Sequence, residues 1–137
     1  MADRISPEAR SENMSRIRNA DTGPEMAVRR LVYSMGYRYR LHRRDLPGCP
    51  DLAFPAMRKA IFVHGCFWHR HQGCKYAYTP KSRVDFWISK LEGNRARDRK
   101  NLAELEQLGW KVLTVWECEI VDLDLLRDRI SGFLLKR

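Results

Sequence analysis

Four residues, Cys66, His71, Cys74 and Cys118, carry the side chain types that zinc prefers, and together they suffice for a closed tetrahedral site. The first three fall in one short stretch and the fourth lies far along the chain, so an ion held by all four would tie that stretch to a distant part of the fold. Free cysteine is commonly just a small apolar residue, but three thiols with an imidazole favour a metal site over unrelated buried groups. His69 and Cys49 compete as ligands. A second constellation pairs Asp51 with the segment Phe62-Val63-His64. If both mark adjacent strand ends, the Asp51 carboxylate, the Val63 carbonyl and the His64 ring converge; Mg²⁺ needs few protein oxygens because it keeps several waters. A Pro-Asp pair is more often a turn than a metal site, so this signal is weak by itself. In His64-Gly65-Cys66-Phe67-Trp68-His69, two imidazoles that titrate near neutrality flank two bulky rings. The histidines suit proton exchange with a phosphodiester. Adjacent rings in a loop do not easily share one core, so at least one is expected to be exposed as a wedge for unstacking bases.

These groups need a scaffold, and the apolar spacing supplies one. A helix is predicted from Ser6-Pro7 to Arg18, with only Met14 and Ile17 as an apolar stripe, and a second from the Asp21-Thr22-Gly23-Pro24 turn to Met35, stopped by Gly36. Strands are predicted at Tyr37–Leu41, Asp51–Phe54, Lys59–Val63 and Val112–Trp116. The run Ala60-Ile61-Phe62-Val63 reads as a central strand covered on both faces. Residues 65–80 look irregular; a long helix follows over Val84–Leu108, loosened at Gly93-Asn94, and a last helix over Leu123–Leu135. This order predicts an α/β sandwich with a mixed central sheet flanked by helices.

The chain has 137 residues, which predicts a single domain over 1–137, and 44% hydrophobic content is enough for one packed core. No apolar run approaches a membrane span, and the Arg-rich start lacks the apolar core of a secretory leader, so no membrane partner is expected. Four cysteines then suit a reducing cytoplasm better as ligands than as disulfides. Net charge is +9, and residues 51–100 alone carry eleven basic against four acidic side chains. A basic surface can serve solubility alone, but Phe67, Trp68, Tyr76, Tyr78, Phe86 and Trp87 lie among those charges. Rings among cations are what base stacking requires.

The stretches Leu46-Pro47-Gly48-Cys49-Pro50-Asp51, Ile61-Phe62-Val63-His64-Gly65-Cys66-Phe67-Trp68-His69, Phe86-Trp87, Arg97-Asp98-Arg99 and Leu108-Gly109-Trp110 through Val115-Trp116-Glu117-Cys118 resemble the very-short-patch repair DNA mismatch endonucleases. The resemblance runs from about Ser11 to Cys118 and implies a restriction-endonuclease-like fold with a structural zinc. The implied activity is Mg²⁺-dependent nicking of one DNA strand at a T·G mispair. It makes Asp51 the principal Mg²⁺ ligand, helped by the main-chain oxygen of Val63, and sets His64 beside metal and phosphate. His69 would move the proton with Asp98 orienting it, Glu25 would hold metal-bound water, and Cys66, His71, Cys74 and Cys118 would bind zinc. Phe67, Trp68 and Trp87 would wedge beside the mispair, with residues 1–20 a helical arm on the DNA. Two departures stand out: Val63 replaces a frequent threonine, and the His71-Gln72-Gly73-Cys74 spacing is one residue longer than in some members. The expected partner is mismatched duplex DNA, with other repair proteins alongside, and the expected state a monomer. Two rivals remain: a nuclease of the same fold that cuts paired sites, and a zinc-stabilised DNA-binding module without catalysis.

Overall fold

The computed structural model describes residues 22–136, so the expected helix over 6–18 and the arm over 1–20 lie outside the described residues. Helix α1 (Gly23–Ser34) begins where Thr22 accepts a hydrogen bond from the Glu25 N–H, with Pro24 in the first turn, where a missing N–H costs nothing. Its apolar positions Val28, Leu31 and Val32 are buried, and Gly36, at φ +95°, turns the chain away from the helix end.

The sheet is mixed, in the order β1 (Arg40–Leu41), β2 (Leu52–Phe54), β3 (Lys59–His64), β4 (Lys111–Trp116). The first three strands run antiparallel, and β3 pairs with β4 in parallel, from Lys59 opposite Lys111 to His64 opposite Trp116. Strand β1 is shorter than the predicted Tyr37–Leu41. Its partner β2 stops at Phe54 because Pro55, which has no N–H, opens a short 3₁₀ turn over Pro55–Met57, and the ladder has nowhere to continue. Tyr37 and Tyr39 pack instead edge-on against Phe54, each with ring centroids 6.4 Å away.

Helix α2 (Val84–Gln107) runs unbroken through Gly93-Asn94, against expectation. One interior glycine costs only about 1 kcal/mol, and Asn94 is engaged, donating to the Trp68 carbonyl at 3.0 Å. Helix α3 (Leu123–Leu135) is capped by the Asp122 carboxylate, which accepts from the Leu125 N–H. None of the described helices is long and apolar enough to cross a membrane.

Alternation along the strands divides the sheet into two faces. Leu52, Phe54, Ile61 and Val115 join Val28, Leu31 and Val32 of α1 and Leu126, Ile130 and Leu134 of α3 in one buried cluster. The intervening positions Phe62, His64, Thr114 and Trp116 line a cleft on the other face, bordered by α2. One buried lysine ties the layers together: the Lys59 ammonium donates to the carbonyls of Phe133 (2.7 Å), Leu134 (2.9 Å) and Lys136, satisfying the exposed end of α3. The expected mixed sheet with helices around it is what the chain forms.

Candidate active site

The cleft encloses about 960 Å³ between the ends of β3 and β4, the turn before β2 and the face of α2. Asp51 stands just before β2, after the buried Pro50, and its Oδ2 accepts the Val63 N–H at 2.7 Å. The atom of Val63 bonded to Asp51 is thus its amide nitrogen, at the end of β3. Burial pushes the Asp51 carboxyl up to about 7; the neighbouring charge of Glu25 adds to this, and the Val63 N–H and Arg29 oppose it. Glu25, almost wholly buried in the first turn of α1, is contacted by the Arg29 guanidinium one helical turn on and by His42 Nε2 at 2.8 Å. One ligand atom each from Glu25, His42 and Asp51 falls within a 4.8 Å group.

His64 and His69 form a second group with Asp98 of α2. Their rings stack with centroids 3.8 Å apart and planes 3° from parallel, and His69 Nδ1 lies 2.6 Å from Asp98 Oδ2. The buried His64 ring is pushed down to about 3, first by loss of water and then by the His69 charge, so it stays neutral across the physiological range.

Cys66, His71, Cys74 and Cys118 come together despite the longer spacing before Cys74. The parallel register brings the outer pair together: His64 faces Trp116, and each strand reaches a cysteine two residues later. The Glu117 carboxylate accepts from the Cys66 N–H at 3.4 Å and so joins the two strand exits. His71 Nδ1 lies 3.6 Å from Cys66 Sγ and 3.4 Å from Cys118 Sγ. A tetrahedral ion with Zn–S and Zn–N bonds of ~2.3 and ~2.05 Å would have N···S edges of about 3.6 Å. The group can therefore hold one tetrahedral ion. Without an ion, burial pushes the Cys66 thiol up to about 12, whereas the Tyr76 N–H lowers that of Cys74. Trp116 links the two centres, stacked on His71 at 4.1 Å and edge-on to His64 at 5.3 Å. The competing ligands are sorted by the fold: His69 pairs with Asp98, and Cys49 lines the cleft outside the thiol group.

Phe67, Trp68 and Trp87 form a half-buried aromatic cluster, with centroids 5.1 Å (Phe67–Trp68), 5.5 Å (Phe67–Trp87) and 5.9 Å (Trp68–Trp87) apart. Exposed Tyr78 and Phe86 extend it by one contact each, to Phe67 and Trp87. The residues singled out for catalysis, metal binding and wedging thus fall into four neighbouring groups, with Cys49 on the cleft wall outside them. Sequence reasoning missed His42 and Arg29. His42 sits in a basic turn with no local signal, and only the pairing of its N–H with the Asp51 carbonyl, at 3.3 Å, brings it to the site.

Known proteins resemble this chain along most of its length. The family described as DNA mismatch endonuclease Vsr matches residues 2–75. The chain is 53% identical over 134 residues to the type II nicking enzyme V.XorIIP of Xanthomonas oryzae pv. oryzae, covering 98% of each. It is 40% identical over 128 residues to the DNA mismatch endonuclease Vsr of Escherichia coli K12, covering 93% of this chain and 81% of the other. It is also 39% identical over 131 residues to the type II nicking enzyme V.NmeAIP of Neisseria meningitidis serogroup A, covering 96% and 93%. With its sequence matched along nearly its whole length by such relatives, the chain belongs to the Vsr family of DNA mismatch endonucleases.

Proposed function

We propose that this protein nicks one strand of duplex DNA at a T·G mispair by Mg²⁺-dependent phosphodiester hydrolysis, starting very-short-patch repair. The observation that carries this reading is the meeting of Asp51 and the His69–Asp98 pair in one cleft, beside the Phe67–Trp68–Trp87 cluster. Two of the relatives are named as nicking enzymes, which favours scission of a single strand. The mixed sheet with helices on both faces favours a restriction-endonuclease-like fold.

The residues fit a hard divalent cation. A buried carboxyl held near 7 in part by a second carboxylate gains most from positive charge placed against it; Asp51 and Glu25 bring hard oxygens into one group, and the Val63 main-chain oxygen would be the third. When bound, Mg²⁺ supplies Lewis-acid charge to the phosphate and a more acidic water. The protein's own contribution is positioning and proton transfer. With the Nδ1 proton of His69 held by Asp98, Nε2 is the nitrogen left to take a proton from the attacking water. The neutral His64 ring, stacked against His69, fixes its plane without adding a competing charge. Arg44, Arg95, Arg97 and Arg99 line the cleft and hold the DNA backbone, while Phe67, Trp68 and Trp87 wedge into the weakened stack. Cys66, His71, Cys74 and Cys118 hold a structural Zn²⁺. Residues 1–20 act as an arm on the DNA, and the protein works as a cytoplasmic monomer, since one active site cuts one strand.

Strand-labelled T·G and T·A duplexes, incubated with and without Mg²⁺, test the reading. It requires metal-dependent cleavage of the T-bearing strand alone, leaving a 5′-phosphate. Equal cutting of paired DNA, or routine scission of both strands, would replace it with the restriction-type activity, and binding without any product with the non-catalytic module.

A further inference from the structure

The group around Asp51 contains a nitrogen donor. His42 Nε2 lies 2.8 Å from Glu25 Oε2, and both belong with Asp51 to a set of ligand atoms within 4.8 Å of one another. An octahedral ion with bonds of ~2.1 Å has adjacent ligand atoms about 3 Å and opposite ones about 4.2 Å apart, so a group within 4.8 Å is close to that size, the ion replacing the proton that now joins His42 to Glu25. The imidazole is placed by backbone, since the main-chain N–H of His42 donates to the Asp51 carbonyl beyond the end of β1. It also lines the cleft, so an ion can reach it from solvent. His64, by contrast, groups with His69 and Asp98 and not with Asp51.

We propose that His42 completes, with Glu25 and Asp51, a mixed nitrogen–oxygen seat that takes a transition cation of the Mn²⁺ class more tightly than Mg²⁺. This rests on the reading of Asp51 as the anchor of the catalytic metal. The physical reason is donor chemistry. Mg²⁺ binds carboxylates, carbonyls and water and gains little from imidazole, whereas first-row transition ions bind nitrogen well. Arg29 sharpens the contrast. Its guanidinium contacts Glu25, so two carboxylates and one guanidinium leave a formal charge of only −1 around the ion. With the electrostatic pull reduced, the nitrogen donor decides which ion is held. In the neutral ring the Nε2 lone pair becomes available once its proton sits on Nδ1.

The test is binding, read apart from cleavage, on the full chain with its Cys/His site loaded with zinc. Mn²⁺ titration followed by electron paramagnetic resonance, with Mg²⁺ as competitor, is expected to give one tight Mn²⁺ whose pulsed spectrum carries ¹⁴N modulation. In His42→Gln that modulation disappears and Mn²⁺ binds at least about tenfold more weakly, while Mg²⁺ affinity changes less than about threefold. In His64→Gln the modulation remains. An unchanged ¹⁴N signal or Mn²⁺/Mg²⁺ preference in His42→Gln, with the ion still lost in Asp51→Asn, would overturn the role of His42 and leave the Asp51 centre standing. Mn²⁺ binding that also survives unchanged in Asp51→Asn would overturn both. Absence of ¹⁴N modulation in the parent protein refutes the proposal whether or not the variant folds.

Discussion

His69 Nδ1 and Asp98 Oδ2 are 2.6 Å apart, across the gap between the loop that follows β3 and helix α2. Their side chains are only about a quarter exposed, and the pair keeps the Nδ1 edge of the imidazole committed while Nε2 is left for the reaction. Asp98→Asn is expected to lower the single-turnover nicking rate by about 10²-fold, the usual scale for losing an aligned proton acceptor. DNA affinity should hold within about twofold. Rates and binding measured on the same T·G duplex check both; a rate within threefold of the parent would remove Asp98 from the mechanism.

Asp51 carries a cost to the metal-free fold. Its carboxyl is raised from an ordinary 3.8 to about 7, so its favourable contribution is complete below pH 3.8 and is lost as pH rises through 7. Asp51→Asn removes that titration and still offers an oxygen to the Val63 N–H. With the Cys/His site zinc-loaded and no Mg²⁺ added, at pH 8 the variant should melt about 5 °C higher than the parent, with the gain shrinking towards pH 4. Added Mg²⁺ should raise the parent's melting temperature and leave the inactive variant's unchanged. His64 acts in the opposite direction: lowered from 6.5 to about 3, it makes the fold lose stability as pH falls from 6.5.

Cys118→Ser removes the proposed ligand that follows the far strand. A structural zinc contributes ~10 kcal/mol or more of apparent binding free energy, comparable to the stability of a whole domain. The variant is expected to lose stoichiometric zinc and to melt at least about 10 °C lower. Metal analysis with thermal melting decides; full zinc content at the parental melting temperature would exclude Cys118 as a ligand.

Trp68→Ala should narrow the preference for T·G over T·A duplexes, expected in the parent to be at least about tenfold, or 1.4 kcal/mol in the barrier. The ring belongs to the cluster with Phe67 and Trp87, and inserting it costs less where pairing is already distorted. Arg95→Ala, on the cleft wall, should instead weaken both duplexes alike and flatten the salt dependence. A Trp68→Ala ratio equal to the parent's would place mispair selection elsewhere.

Much of this arrangement was legible because it depends on local periodicity. The apolar run from Ala60 to Val63 and the spacing in Leu123–Leu135 announce a central strand and a helix whatever surrounds them, and the Cys/His set is recognisable by type alone. The shortened β1 was not legible, since it depends on where its partner meets Pro55. His42 and Lys59 were illegible for a different reason. One reads as part of a basic turn and the other as a charged strand start, yet the fold places the first against Glu25 and buries the second against the last carbonyls of α3. Asp98 stood out only through family resemblance, because nothing in its Arg-rich helical surroundings signals a partner 29 residues upstream.

The parallel pairing of β3 with β4 works as a ruler. Both strands are six residues long, begin opposite each other at Lys59 and Lys111, and end opposite each other two residues before Cys66 and Cys118. One residue inserted into either strand would slide its far end by ~3.3 Å and turn every later side chain to the opposite face of the sheet. Length variation is therefore barred from the segments 59–66 and 111–118, and the chain has freedom to lengthen only where no ladder counts residues, as in the irregular stretch 75–83.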